Sequence, residues 1–482
     1  MLKQQTPSLT LQNYMRYFSP IPNALFLALL GTFISWLAFL CGVRELGILG
    51  IIICAGASFV FLSIITHPLV PFSLYFSCLF FTDTNIYGFP ISLNQVLGIL
   101  FFISWFSYFV RGKTIAISGK CCAILILATI WFAVSAITGE DAERGMLHFR
   151  ALITYLFMAI CLASSLTSER SIRALAWIIT ITTAAAALQG IYQAIDKNIF
   201  ENFTGKWSDA VRVSGMAKNS IVYGWNLLYA FPFAFFLYTQ HKRRFYRNLA
   251  LGLGLVTTLV ALLTFNRQTF LLIAILIPAT TMIFSYPNKK QIFGYVLVAI
   301  AFAIVLIFPM IFARLTTIEN IKRDASYLER RDQFIVAVEM FKEKPVTGIG
   351  LGAYPAVWKN HLPKDYSTYN MQYDYKSERY PDFGYLQLLA ETGIVGLLLA
   401  FVFMAMIVTV SWRIRRLAGH YNDIFAFNFA SLVFILGLFW IVSNGLQDTF
   451  LYVRVWILLA LTLLLTPHNF MLESAYHTEQ DQ

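Results

Sequence analysis

The chain is 482 residues long, 58% hydrophobic and 13% charged, with a mean hydropathy of +0.66 and a formal net charge of +11. These values exclude a soluble enzyme. The positive charge does not require nucleic acid as a partner, because the cationic flanks of membrane helices produce such an excess routinely.

Apolar runs near 20 residues recur along the whole length, each long enough to cross a hydrocarbon core of about 30 Å at about 1.5 Å per residue. They lack the alternation of barrel strands, so the expected fold is an all-α polytopic membrane protein with 12 to 14 transmembrane helices. Spans are expected at about 23–41, 46–66, 69–81, 91–110, 121–137, 149–166 and 171–191. They continue at about 220–239, 246–264, 267–284, 291–312, 384–409, 424–443 and 448–466, the third being short. Two cations and no acids precede the first span, and no small-residue cleavage site follows it, so that helix is expected to be retained. The six cysteines lie in or beside apolar runs and suggest neither a disulfide framework nor a metal site.

Orientation follows from the short loops. One side collects Lys3, Arg16, Arg111, Lys113, Lys120, Arg170 and Arg173, then Lys242, Arg243, Arg244, Arg247, Lys289, Lys290, Arg413, Arg415 and Arg416. The positive-inside rule makes that side, and both termini, cytoplasmic. The expected organisation is an N-terminal bundle over 1–312, a large periplasmic loop domain over 313–383, and C-terminal helices with a cytoplasmic tail over 384–482.

The stretch 249–284 is too long for one span, and its only polar interruption is Thr264-Phe265-Asn266-Arg267-Gln268. A break there puts Arg267 at the outer surface, where a lone arginine can also simply anchor the helix to headgroups. A second outer loop, 196–220, carries Arg212, Lys218 and Asn219 just before a span.

The large loop concentrates charge: residues 313–383 hold 11 of the 36 Lys+Arg and 10 of the 25 Asp+Glu. Within it, Ser326-Tyr327-Leu328-Glu329 forms a capping box, which predicts a helix starting near Tyr327 and ending before Pro345. Leu328, Phe334, Ile335, Val338 and Phe341 give that helix an apolar face to pack. Arg330 and Arg331 lie one turn in, so one can pair with an acid while the other faces a ligand. Thr347-Gly348-Ile349-Gly350-Leu351-Gly352 follows, a tight turn whose amides suit an anion, although glycines after a helix are usually its cap. The tyrosine-rich segment 359–383 suits stacking on sugar faces or a surface lid. The loop closes on Asp382-Phe383-Gly384-Tyr385-Leu386-Gln387, where an acid also serves as a helix cap.

Four segments, RVSGMAKNSIVYGWNLLYAFPFAF, LLTFNRQTFLLIA, ERRDQFIVAVEMFKEKPVTGIGLGAY and DFGYLQLLAETGIVGLLLAF, occur in series in the C-terminal half. In order and topology they resemble the O-antigen ligase and O-antigen (Wzy-type) polymerase superfamily of bacterial inner-membrane glycosyltransferases. The first 190 residues match only as helices. The resemblance implies a GT-C-like fold, a periplasmic active site and a donor glycan carried on undecaprenyl pyrophosphate. It implies donor binding by Arg212, Arg267 and Arg330, with Arg331 in reserve. It further implies substrate-binding roles for Lys218, Asn219, Gly348, Gly350, Gly352, Tyr385 and Glu391.

Where ligases carry a His-Asn pair, this chain has Asp382-Phe383. Polymerases of the superfamily commonly show an acid there, so the departure favours an O-antigen or surface polysaccharide polymerase, with Asp382, Arg267 and Arg212 as the catalytic group. Cations beside a carboxylate favour its charged form and make it a weaker base, so orienting the acceptor is expected to be its larger part. No cofactor and no metal are expected. The expected partners are the lipid-linked donor, a glycan acceptor, the bilayer and a chain-length regulator. Ligation to lipid A-core, or to protein, is the alternative within the class. A lipid-linked glycan flippase would instead show related halves and charges buried mid-span, and a non-enzymatic scaffold would survive loss of the arginines.

Overall fold

In a computed structural model, the described residues are 67–78, 93–112, 119–196, 212–215, 219–298, 325–362, 381–446 and 454–465. Among them there are fourteen α-helices and no strand. In chain order these are α1 (Leu69–Cys78), α2 (Leu93–Val110), α3 (Gly119–Thr138), α4 (Ala142–Ser165), α5 (Glu169–Asp196), α6 (Ser220–Gln240) and α7 (Arg244–Leu262). They continue with α8 (Arg267–Ile283), α9 (289–298), α10 (Ala325–Glu343), α11 (Tyr354–Val357), α12 (Gly384–His420), α13 (Ile424–Asn444) and α14 (Arg454–Leu465). Six of them (α4, α5, α6, α7, α12 and α13) are long and apolar enough to cross a membrane, and four shorter apolar helices accompany them. The chain is an all-α, multi-pass membrane protein. The spans expected before residue 67 lie outside the described residues.

Helix starts follow local chemistry. Asp141, Asn219, Asn266 and Asp423 each accept a first-turn amide on the side chain, which satisfies donors that a helix start otherwise leaves open. The break foreseen between 264 and 268 is present, with α7 ending at Leu262, α8 starting at Arg267, and Phe265 in the left-handed region at φ 47°.

Burial sorts the helices into layers. Helix α6 is the most enclosed, with 78% of its apolar window buried, against 33% for α4, α7 and α12. The outward residues of the outer helices, such as Leu255 and Leu259 on α7 or Leu398 and Phe401 on α12, are apolar and exposed, as hydrocarbon requires. Buried hydroxyls are returned to the carbonyl one turn back, as in Thr180 to Ala176 and Ser165 to Cys161.

The bundle has two chemically different ends. At one, Trp177 donates to His241 at 2.9 Å, Asn428 clasps the Ser285 backbone at 2.8 and 3.1 Å, and Arg415 donates to the Ile283 carbonyl at 3.2 Å. The cationic short loops from Arg170 to Arg416 gather at this end. The opposite end holds the turns 139–141 and 263–266, the start of α12 and the end of α13.

A second, smaller core lies at that opposite end. Val336, Ala337 and Met340 of α10 pack with Ile349, Ala353, Tyr354, Val357 and Trp358, and with Ala390 of α12. This corrects the face expected for α10. Phe334 is 50% exposed, Ile335, Val338 and Phe341 are only partly buried, and the Leu328 side chain lies outside the described residues. The packed face is the one that carries Ala337, because a small residue lets the helix approach the glycine turn and the Tyr354–Trp358 layer closely.

Candidate functional site

The centre of the outer layer is a break in α12. Gly393 takes φ 67° and ψ −169°, a conformation essentially reserved for glycine. The backbone groups around the break are met by the segment that follows α10. Ile349 N–H donates to the Ala390 carbonyl at 2.9 Å, Gly350 N–H to the Glu391 carbonyl at 3.0 Å, and Ile394 N–H to the Pro345 carbonyl at 2.9 Å. A β-carbon on Gly348 would run into the Glu391 backbone, and one on Gly350 into Gly139. The amides of Gly348 and Gly350 are therefore engaged by the chain's own carbonyls, with Gly348 N–H donating to Lys344 at 2.9 Å. The turn works as a joint, and Gly352 extends it against His148.

Helix α3 completes the joint. Ser135 Oγ donates to the Glu391 carbonyl at 3.0 Å, and Trp131 Nε1 to the Thr392 carbonyl at 3.1 Å. The α3–α4 turn docks beside it, with Glu140 N–H on the Ile349 carbonyl at 2.8 Å and the Glu140 carboxylate on Lys344 at 3.1 Å. Asp141 caps α4. These two acids are structural here. Glu391 lies within the joint, 3% exposed, with its carboxylate 3.4 Å from both the Tyr354 amide and the Gln387 side chain.

Asp382 sits just above this joint. Arg330 Nε donates to its carboxylate at 2.9 Å, and its backbone N–H donates to Gln333 Oε1 at 3.0 Å. Both side chains of the ion pair are near 40% exposed. The neighbouring Arg331 turns to Asp332, a buried acid of the same helix, with Nη2 at 2.8 Å. Of the two arginines, Arg330 is thus the one in contact with Asp382.

A run of short contacts links Asp382 to the other arginine segments. Gly384 packs against Asn444 of α13, and Tyr385 Oη donates to the Ile441 carbonyl at 2.7 Å. From the end of α13, the Leu446 carbonyl accepts from Gln268 Nε2 at 3.0 Å, one residue past Arg267. Leu263, at the same hairpin, accepts from Val213 N–H at 3.4 Å, one residue past Arg212. The backbones carrying Arg212, Arg267, Asp382 and Arg330 therefore share one end of the bundle.

Arg267 opens α8, and its side chain lies outside the described residues, as does Lys218. Asn219 is exposed and caps α6 through Ile221 N–H at 2.8 Å. Next to Arg267, Asn266 Nδ2 and Thr269 Oγ1 are buried and make no hydrogen bond among the described residues. Among the described residues, no group of three or more His, Cys, Asp or Glu is placed to hold a metal ion.

At the rim, His361 Nε2 lies 2.8 Å from Glu343, and this hydrogen bond holds the Glu343 carboxyl below its ordinary value. Burial pushes the Tyr354 phenol upward, and its hydroxyl donates to the Gln333 main-chain carbonyl at 3.3 Å.

Sequence reasoning missed Trp131, Ser135, Gly139 and Gln333. Trp131 and Ser135 stand four residues apart on an otherwise apolar helix, and Gly139 follows four residues later in the turn that ends it, a spacing that marks a contact face.

No curated protein matches the chain. Residues 249–401, which run from α7 through the joint into α12, match the family model described as O-antigen ligase, which supports a place for the chain in the O-antigen ligase and polymerase superfamily.

Proposed function

We propose that the protein is a polymerase of O-antigen or a related surface polysaccharide, working on the periplasmic face of a bacterial inner membrane. The observation that carries this reading is the 2.9 Å pair between Arg330 and Asp382, the acid that stands where ligases have histidine. In the proposed reaction an acceptor sugar hydroxyl attacks the anomeric carbon of a lipid-linked glycan. The new glycosidic bond forms as the bond to undecaprenyl pyrophosphate breaks, inverting the centre. Asp382 orients the hydroxyl and accepts its proton. The leaving pyrophosphate gathers charge that Arg212, Arg267 and Arg330 neutralise, a role that guanidinium groups fill well at a water-poor edge. The start of α8, which Arg267 opens, supports this, because a helix N-terminus favours phosphate. Lys218, Asn219 and Tyr385 belong in this reading to the acceptor side, while Gly348, Gly350, Gly352 and Glu391 shape the floor. The cationic end faces the cytoplasm, and a chain-length regulator is the expected protein partner.

Purified protein incubated with a lipid-linked repeat unit, with and without EDTA, should lengthen it. In cells, Arg212→Ala or Arg267→Ala should leave single-repeat glycans. Normal chain-length ladders in both variants would sink the proposal. The family description keeps ligation to lipid A-core as the second reading. A deletion strain separates the two, because loss of all O-antigen marks a ligase and one repeat on core marks a polymerase.

A further inference from the structure

Helix α10 presents Arg330 and Gln333 three residues apart, hence on one side. Their contacts with Asp382 do different jobs. Arg330 holds the carboxylate at 2.9 Å, whereas Gln333 Oε1 holds the Asp382 backbone N–H at 3.0 Å and so fixes the main chain from which the carboxylate projects. Among the described residues, Asp382 lies outside α12, and the Phe383 side chain gives that helix no capping bond. Gln333 is itself anchored, because its main-chain carbonyl accepts from Tyr354 Oη at 3.3 Å and Tyr354 is 1% exposed in the second core.

We infer that Gln333 is the positioning residue of Asp382, setting the aim of its carboxylate toward the acceptor hydroxyl from the rigid outer layer. A neutral amide suits the task. It accepts the backbone bond without adding a second negative charge beside Asp382, which a carboxylate in its place would do. The inference rests on the role proposed above for Asp382.

The test is turnover of a lipid-linked repeat unit by the purified full-length protein. Gln333→Met keeps the shape and removes the acceptor. A misplacement on the order of 1 Å costs about 10²-fold in rate, so kcat should fall by about 10- to 100-fold. KM for the lipid-linked donor and the melting temperature should stay unchanged. Gln333→Glu restores the acceptor and should recover most of the rate at high pH. Its acid limb should move to higher pH, because a second carboxylate disfavours ionised Asp382. A normal kcat in Gln333→Met, with Asp382→Ala inactive, overturns this inference alone. Loss of rate and melting temperature together, with no recovery in Gln333→Glu, overturns it in favour of a folding role. Normal turnover by Asp382→Ala removes the role given to Asp382 and this inference with it.

Discussion

Gly393→Ala should open the joint beneath the proposed site. A residue with a β-carbon held at φ 67°, ψ −169° carries a conformational cost of about 1–3 kcal/mol. The added atom would also collide with the Val346 carbonyl and come within 2.8 Å of the Gly348 nitrogen. Both are backbone atoms, so no side chain can swing aside. Relief requires the turn to move off α12, which breaks the bonds from Ile349, Gly350 and Ile394 at 2.9–3.0 Å. At about 0.5–1.5 kcal/mol each, losing those three bonds in place of the strain costs about 1.5–4.5 kcal/mol. A loss near 4 kcal/mol corresponds to about a 10³-fold change in the opening equilibrium. Amide hydrogen exchange reads this directly: Ile349, Gly350 and Ile394 should exchange up to about 10³-fold faster while the centre of α6 stays protected. Gly252→Ala is the control, since a β-carbon there meets nothing within 4 Å and alanine is the better helix former. Wild-type exchange at the three amides in Gly393→Ala would refute the joint.

Arg330→Ala and Asp382→Ala should each abolish chain growth with little change in melting temperature, because half-exposed ion pairs contribute about 0–1 kcal/mol. A large drop in melting temperature in either would make the pair structural. Trp131→Phe and Ser135→Ala each remove one donor to the break in α12 and should cost about 1 kcal/mol, seen as faster exchange over 391–396. Unchanged exchange there would remove α3 from the joint. The Glu343 carboxyl is depressed by His361, so its contribution to stability is complete above its ordinary value of 4.5 and is lost as pH falls through the lower folded value. Protection of 354–361 should therefore show an acid limb below about pH 4.5 that His361→Ala removes, and a limb persisting in that variant would assign it to another group.

The sequence by itself determined what depends on neighbours a few residues away. Apolar runs gave the helices and the polar interruption gave the α7–α8 break, whereas Asp382, the acid expected to cap α12, does not stand at its N-cap, which is Phe383. The stop of α10 before Pro345 agrees with the helix at Ala325–Glu343, because proline acts within one turn, whereas the helix begins two residues before Tyr327 and so takes Ser326 inside it. That the loop closes on an acid, Asp382, was also legible. The tertiary structure decided which arginine meets Asp382, which face of α10 packs, and what the glycine turn does. Each of those answers depends on a partner distant in the chain. Asp382 is 52 residues from Arg330, and Trp131 is 261 residues from Thr392. Periodicity marks which residues avoid water, but it carries no record of the surface they will meet. Ala337 and Gly350 matter because of what they allow to approach, and that is fixed only when the distant surface is in place.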